Sequence, residues 1–313
     1  AAILLLALCF AEIAALYPKR GLSAIIPTLS HNRYFGFPFA IANWLGVVAV
    51  IGLEADATVQ YLINLFPSYT HLFFNKASLT NEGVALSVCL VVLFCLLNYW
   101  GSRVLTKTNN VMSIIKLIVP VTVALIIIAC SFHAENFVYV HHRFISYGYR
   151  SVFSVILTSG IIVAFNGFQT VISFSSEIKK ASRTIPLAVT FSILISLAVY
   201  LLLQVAFIGA QPLSVVSAGW NQLKLHAPMI ELVAFLGLGM LTSIIYFGAL
   251  VAPMGSAVVF MGASSRMFTA MSRNRQMPTY FDNIHPRHHI SRRSLLANTV
   301  LSICFVLFFR SWS

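Results

Sequence analysis

The chain has 313 residues, of which 59% are apolar and 9% are charged, and its mean hydropathy is +0.88. A soluble domain carries about 25% charged residues, so this composition excludes an ordinary soluble fold and predicts an all-α integral membrane protein. The net charge of +12 could suggest a nucleic-acid partner, but the distribution of the charges along the chain argues against one.

Apolar runs long enough to cross a bilayer as helices recur from one end of the chain to the other. A hydrocarbon core about 30 Å thick needs about 20 residues at 1.5 Å each. We predict eight spans, over residues 1–16, 37–65, 83–100, 109–131, 151–174, 187–209, 229–262 and 295–311. Because the sequence begins inside one run and ends just after another, we expect an internal fragment of a single transmembrane domain, residues 1–313.

Lysine and arginine are concentrated in alternate loops, fourteen on one side and five on the other. The fourteen are Lys19, Arg20, Arg33, Arg103, Lys107, Lys179, Lys180, Arg183, Arg266, Arg273, Arg275, Arg287, Arg292 and Arg293. The positive-inside rule places these loops in the cytoplasm, so the span 1–16 runs from outside to inside and an odd number of spans should precede it. We therefore predict a multi-pass protein of the plasma or inner membrane whose surroundings are lipid, with no nucleic-acid partner.

No metal site is predicted. The five cysteines lie in or at the edges of predicted spans, where small apolar residues are typical. His141, His142, His285, His288 and His289 lie in polar loops without a partnering cysteine or carboxylate cluster.

Ionisable residues inside the spans are costly in hydrocarbon, so each needs a reason. Glu12 lies close to the basic loop after the first span, and we expect a structural pairing there.

Glu54 and Asp56 are two residues apart, about 200° around a helix, so they face different sides. Gly46 shares the face of Glu54, which predicts a substrate-site role for both, whereas Asp56 is predicted to pair structurally. The alternative is that both carboxylates line an outer vestibule.

Lys116 lies about 12 Å along its predicted helix from the cytoplasmic end, too deep for its ammonium group to reach water easily. Keeping a charge there is expensive, so the side chain could load and release a proton. Pro120 has no N–H to donate to the carbonyl of Lys116, which adds local polarity. The alternative is a lysine paired with a structural carboxylate or carbonyl group.

The fifth span is interrupted at Val163-Ala164-Phe165-Asn166-Gly167-Phe168-Gln169. A glycine break at mid-depth leaves backbone groups that hydrocarbon cannot satisfy, so they must line a cavity or a ligand. Phe165 and Phe168 are candidate gates or simple packing residues. Gly255 and Ser256 follow Pro253 in the seventh span, where a site wall and a kink with close packing are equally favoured.

Six blocks of sequence, in this order, resemble landmarks of the amino acid–polyamine–organocation superfamily of permeases. They are residues 11–21, Asn98 to Gly101, Lys116, Phe165 to Phe168, Glu177 to Pro186, and Ser265 to Arg273 with Met277-Pro278. Together they cover nearly the whole chain.

The resemblance implies a LeuT-type fold of two inverted five-helix repeats, with the spans present here similar to the second through ninth helices. Residues 1–131 would be the remainder of the first repeat and residues 151–311 an incomplete second repeat. The unwound turn of the sixth helix, Ala164 to Gly167, would bind the amino and carboxyl groups of the substrate. Lys116 matches a lysine that replaces bound Na⁺ in sodium-independent members, so a proton rather than sodium is the expected coupling ion, with no other cofactor. The family's first helix, which carries the other half of the site, has no counterpart in this chain.

We therefore predict a secondary active transporter, not an enzyme, that moves amino acids by alternating access with proton-coupled symport. The predicted substrate-binding residues are Val163, Ala164, Phe165, Asn166, Gly167, Gln169, Gly46, Glu54 and Ser256, with Lys116 for proton coupling. An exchanger of amino acids, amines or polyamines is the alternative, and a channel or a non-transporting sensor of the same fold also stays open. The sequence does not indicate the specific amino acid or the oligomeric state.

Overall fold

The computed structural model describes residues 2–75, 78–138, 148–158, 160–161, 163–220 and 227–310, and this part of the chain is mainly helical. The helices are α1 (Ala2–Leu16), α2 (Leu22–Ser30), α3 (Arg33–Asn64), α4 (Thr70–Phe73), α5 (Asn81–Tyr99), α6 (Ser102–Cys130), α7 (Gly148–Thr158), α8 (Phe168–Ser173), α9 (Ala181–Gly209), α10 (Leu213–Ala218), α11 (Pro228–Phe235), α12 (Gly239–Arg273) and α13 (Arg292–Phe309). Two short strands, β1 (Phe74–Asn75) and β2 (Ser78–Leu79), pair antiparallel with Phe74 opposite Leu79.

Within the described residues, six helices are long and apolar enough to cross a membrane: α3, α5, α6, α9, α12 and α13. The apolar helix α1 has 15 residues and accounts for the first predicted span. The predicted span 151–174 is interrupted, as α7, a 3-10 turn at Val163–Phe165 and α8. The predicted all-α membrane fold is therefore confirmed.

The predicted span 229–262 begins within one residue of a helix, but it wrongly bridges two helices and ends too early. It divides into α11 and α12 near Gly237, whose φ of +72° is readily adopted only by glycine. Helix α12 then continues to Arg273, because Thr269 and Ser272 donate their hydroxyl groups to carbonyls one turn back in their own helix. Arg266, predicted to lie in a cytoplasmic loop, is therefore inside α12 and is buried.

Helix α2 was also not predicted, since its nine residues fall between two spans. Its first turn buries Leu22, Ala24 and Ile25, and it packs against α3. Gly21 precedes it in the left-handed region, at φ +62°.

The chain divides into two compact units. The first unit comprises residues 1–114, 167–191 and 249–313, and the second comprises residues 115–166 and 192–248. Helices α6, α9 and α12 each contribute to both. The predicted division into repeats at 1–131 and 151–311 stays a prediction.

The core of the first unit lies where α3, α5 and α13 meet, with α12 against them. Its members include Ile51, Val91, Phe94, Met261 and Leu295. Lipid is as apolar as these side chains, so close van der Waals contact rather than the hydrophobic effect holds such helices together.

The second unit has its own core, formed by α6, α9, α11 and the start of α12. Fully buried members include Ala124, Ile127, Ala206 and Val233. Alanine at two of these positions allows the helix backbones to approach closely.

Candidate functional site

The candidate site begins at the interruption between α7 and α8. Helix α7 ends at Thr158, and the 3-10 turn that follows is closed by a hydrogen bond from Ala164 N to Gly160 O at 3.1 Å. Gly167 has φ +114°, a conformation that residues with a Cβ rarely adopt, and this glycine ends the interruption. The predicted break is present, and the side chain of Val163 lies outside the described residues.

Asn166 is the last residue of a segment of the second unit, and Gly167 begins a segment of the first. In the second unit, the carbonyl of Ala164 accepts a hydrogen bond from Tyr200 Oη on α9 at 2.8 Å. The ring of Phe165 contacts that of Tyr200 edge to face, with centroids 5.3 Å apart. Tyr200 therefore supports the broken segment, a role that its position in an apolar span did not predict.

In the first unit, Gly167 N donates to Gln169 Oε1 at 3.0 Å. The Gly167 carbonyl accepts from Thr170 N and from Thr170 Oγ1, at 3.0 and 2.5 Å. Phe168 packs against Phe10 of α1, with ring centroids 6.0 Å apart. Side chains close to the break thus satisfy backbone groups that the helix leaves open, as the absence of water in hydrocarbon requires.

The remaining predicted site residues lie on helices α3, α6 and α12. Lys116 is half-buried on α6, and Glu54 is half-buried on α3. A Cβ added at Gly46 would meet nothing within 4 Å. Ser256 donates its hydroxyl to Ala252 O at 3.2 Å within α12, which agrees with the alternative of a locally bent helix after Pro253. Their assignment to substrate binding and proton coupling stays a prediction.

The structural pairing predicted for Asp56 stays a prediction. Asp56 is 2% exposed, and its Oδ1 has no hydrogen-bond partner. The ion pairs of the described residues join Glu177 to Arg20 and Arg266, and Asp282 to Arg273.

A second feature lies around Glu177, where Arg20, Phe174, Glu177 and Arg266 form what we call the Glu177 cluster. Arg266 binds Glu177 through two parallel bonds, Nε to Oε1 at 2.7 Å and Nη2 to Oε2 at 2.9 Å. Arg20 Nη2 lies 2.9 Å from the same Oε1. The Arg266 guanidinium also stacks over the ring of Phe174, 4.1 Å from its centroid. This arrangement gives the buried arginine charge a bidentate partner and an aromatic face.

Backbone contacts join α8 to the loop after α1 beside the Glu177 cluster. Gly21 N donates to Ser173 O at 3.0 Å, and Ser175 Oγ donates to Lys19 O at 2.9 Å. A Cβ at Gly21 would collide with the carbonyl oxygen of Arg266, so only glycine fits.

Burial lowers the pKa of the Arg20 guanidinium from its ordinary value, while the Glu177 carboxylate raises it. The sequence analysis placed Arg20, Glu177 and Arg266 in blocks typical of the permease family but did not predict their contact. It expected Glu12 to pair with the basic loop; Glu12 is exposed, and no ion pair of the described residues includes it. The contact between distant blocks is visible only in the fold.

The described residues contain no group of three or more His, Cys, Asp or Glu side chains that could hold a metal ion.

Comparison with known proteins identifies the family. The amino acid permease family model matches residues 1–311. The glutamate/serine transporter AimA of Bacillus subtilis (strain 168) is 34% identical over 99% of this chain and 58% of its own length. The aspartate-proton symporter of the same organism is 32% identical over 100% of this chain and 60% of its own length. The vacuolar cationic amino acid transporter 4 of Arabidopsis thaliana is 24% identical over 96% of this chain and 50% of its own length.

The chain thus spans about three-fifths of the length of the two Bacillus relatives. The match nevertheless extends over the interrupted helix, the Glu177 cluster and the six long apolar helices alike. The resemblance expected from the sequence blocks is confirmed, and the chain belongs to the amino acid permease family of membrane proteins.

Proposed function

We propose that the intact protein is a secondary active transporter that carries amino acids into the cell together with protons. The interrupted helix between α7 and α8 carries the proposal, because it offers polar backbone groups at a depth where lipid offers none. The relation to an aspartate-proton symporter supports the choice of ion. The basic loops are proposed to face the cytoplasm, with the protein in the cell membrane.

The substrate's carboxylate is proposed to bind the N–H of Gly167. Gln169 Oε1 accepts a hydrogen bond from that N–H in the structure. A carboxylate is an acceptor of the same geometry with a full charge, so it would form the stronger bond once Gln169 rotates away. Gln169 Oε1 therefore accepts the hydrogen bond of Gly167 N–H in the absence of substrate, and the substrate carboxylate replaces it on binding.

The substrate's ammonium group is proposed to bind carbonyls of the segment Val163 to Asn166. The Ala164 carbonyl already accepts from Tyr200 at 2.8 Å. A carbonyl oxygen has two lone pairs and can accept a second donor. Tyr200 then orients the carbonyl rather than occupying it fully.

Candidate substrates follow from the relatives and from Glu54. The names of the Bacillus relatives make glutamate, aspartate and serine the first amino acids to test. An ionised Glu54 beside the substrate would instead favour cationic amino acids or polyamines, and exchange rather than symport. A competition panel of the twenty amino acids and common polyamines distinguishes these specificities.

Lys116 is proposed to couple transport to protons, because its place inside α6 makes the charged form expensive and the neutral form accessible. The test is uptake of labelled amino acid into proteoliposomes in sodium-free buffer with an inward proton gradient. The wild type should accumulate substrate under the gradient and show saturable counterflow without it. In Lys116→Ala, substrate accumulation under the proton gradient should fall by at least about tenfold, whereas counterflow should be unchanged.

Lys107→Ala is the matched control, because Lys107 is exposed on the same helix nearer the cytoplasmic end. It should behave as the wild type does. Binding without counterflow would refute the transporter, and unchanged gradient-driven uptake by Lys116→Ala would refute the role of that lysine.

A further inference from the structure

Asp56 is a buried acid that is not part of the proposed transport site. It lies on α3, which packs against α5 and α13. Only 2% of Asp56 is exposed, and its neighbours Ala55 and Val59 belong to the apolar core. Ser87 on α5 is fully buried and interacts with the carboxyl group. Yet Asp56 Oδ1 and Ser87 Oγ each lack a hydrogen bond of ordinary geometry.

No described cation pairs with this acid. The titratable residues on the elements packed around α3 are His71 on α4, Tyr69 before it, Glu82, Cys89, Cys95 and Tyr99 on α5, Tyr246, Arg266 and Arg273 on α12, and Arg292, Arg293 and Cys304 on α13, with Arg310 after it. Helix α3 itself carries Arg33, Tyr34, Glu54 and Tyr61, and α2 carries no titratable residue. Of these residues, Arg266 and Arg273 are held by Glu177 and Asp282. None forms an ion pair or a hydrogen bond with Asp56.

An ionised carboxylate in such surroundings costs several kcal/mol, because neither water nor a positive charge stabilises it. The neutral acid costs much less. The arrangement therefore favours a protonated Asp56 while the three helices are packed as described.

A cavity of about 190 Å³ between α3 and α13 gives a route for that proton to leave. Asp56 lines it, together with Ala49, Gly52, Leu53, Phe305 and Val306. The volume admits water molecules. However, the Asp56 oxygen without a partner is sealed from solvent, and a Cβ at Gly52 would lie only 3.3 Å from Val306 Cγ2. Water therefore does not reach this oxygen while α3 and α13 are packed as described.

We propose that Asp56 is a second proton-carrying residue of the transporter, neutral in the packing described here and ionised when water enters the α3–α13 cavity. In the ionisation step the O–H bond of the acid breaks, the proton passes to water and the electron pair stays on the carboxylate. The proposal rests on proton-coupled transport as the function. It adds a second proton site, in the first unit, to that of Lys116.

The number of protons moved per amino acid tests this role. Uptake is measured in proteoliposomes at a fixed pH gradient while the membrane potential is varied. The potential at which net uptake stops gives the ratio of protons to amino acid. Asp56→Asn keeps the shape and the neutral form but cannot release a proton. The variant should keep counterflow and move one proton fewer per substrate than the wild type. Asp282→Asn is the matched control, because Asp282 is a half-buried acid outside the long apolar helices, and it should leave the ratio unchanged.

An unchanged ratio and pH profile in Asp56→Asn would overturn the inference while leaving proton-coupled transport intact. A wild type that shows no gradient-driven uptake would instead refute the proposed function. If Asp56→Asn does not fold, infrared difference spectra of the wild type and Asp56→Glu decide. A band of a protonated carboxyl group that disappears during substrate transport, and that is shifted in Asp56→Glu, supports the proposed role. If the wild type shows no such band, the role is overturned.

Discussion

Two carboxylates of the first unit, the half-buried Glu177 and the buried Asp56, differ in their partners. Glu177 receives three charged hydrogen-bonding contacts from Arg20 and Arg266, all between 2.7 and 2.9 Å. Among the residues that the structure describes, no cation pairs with Asp56, and its Oδ1 has no hydrogen bond. A paired acid stabilises the groups around it, whereas an unpaired acid in a membrane protein is retained at a cost in stability. The comparison supports a structural role for Glu177 and is the basis of the role proposed for Asp56.

Glu177→Gln should produce the largest change in stability. The substitution leaves two largely buried guanidinium groups without their counter-charge, and breaking a buried pair in this way costs about 3 kcal/mol or more. The measurement is the thermal unfolding midpoint of the detergent-solubilised protein, which should fall by several degrees. A midpoint equal to that of the wild type would contradict the structural role of the Glu177 cluster.

Asp56→Ala should change stability less, and in the opposite direction. Removing a buried acceptor without a partner relieves about 1 to 3 kcal/mol, and the lost packing offsets part of that gain. The expected result is a midpoint equal to or above that of the wild type in the same assay. A loss as large as that of Glu177→Gln would mean that Asp56 has a strong partner and would remove the contrast.

Asp282→Asn should have the smallest effect. Its partner Arg273 is 57% exposed, and the pair is held at 2.9 Å in contact with solvent. Such pairs contribute about 0 to 1 kcal/mol and are weakened by salt. The expected shift in midpoint is within the scatter of repeated measurements, and a larger one would show that pairing alone, without burial, is enough for stability.

The sequence predicted the membrane fold and the interrupted helix because both depend on local composition. A long apolar run must span the bilayer, and the glycine at 167 supplies a backbone conformation that other residues avoid. Its placement of Glu54 and Asp56 on different faces of the helix stays a prediction; Glu54 is half-buried and Asp56 is buried.

What it could not predict depends on contacts between distant residues. Glu177 meets Arg266, 89 positions away, and Gly21 meets Ser173, 152 positions away, so no window of sequence contains either contact. The end of α12 was misplaced because serine and threonine made the segment look polar, although their hydroxyl groups are satisfied within the helix. The missing partner of Asp56 is likewise a property of the folded neighbourhood.

Helix α8 is short, and its length limits the movement that it can transmit. Its six residues extend about 9 Å, with Gly167 at one end and the Glu177 cluster just past the other. A rigid rod of that length, tilted by about 20° about its anchored end, displaces its free end by roughly 3 Å. That displacement is about the length of one hydrogen bond. The anchored rod is therefore long enough to make or break a single bond at Gly167 and too short to produce a large swing.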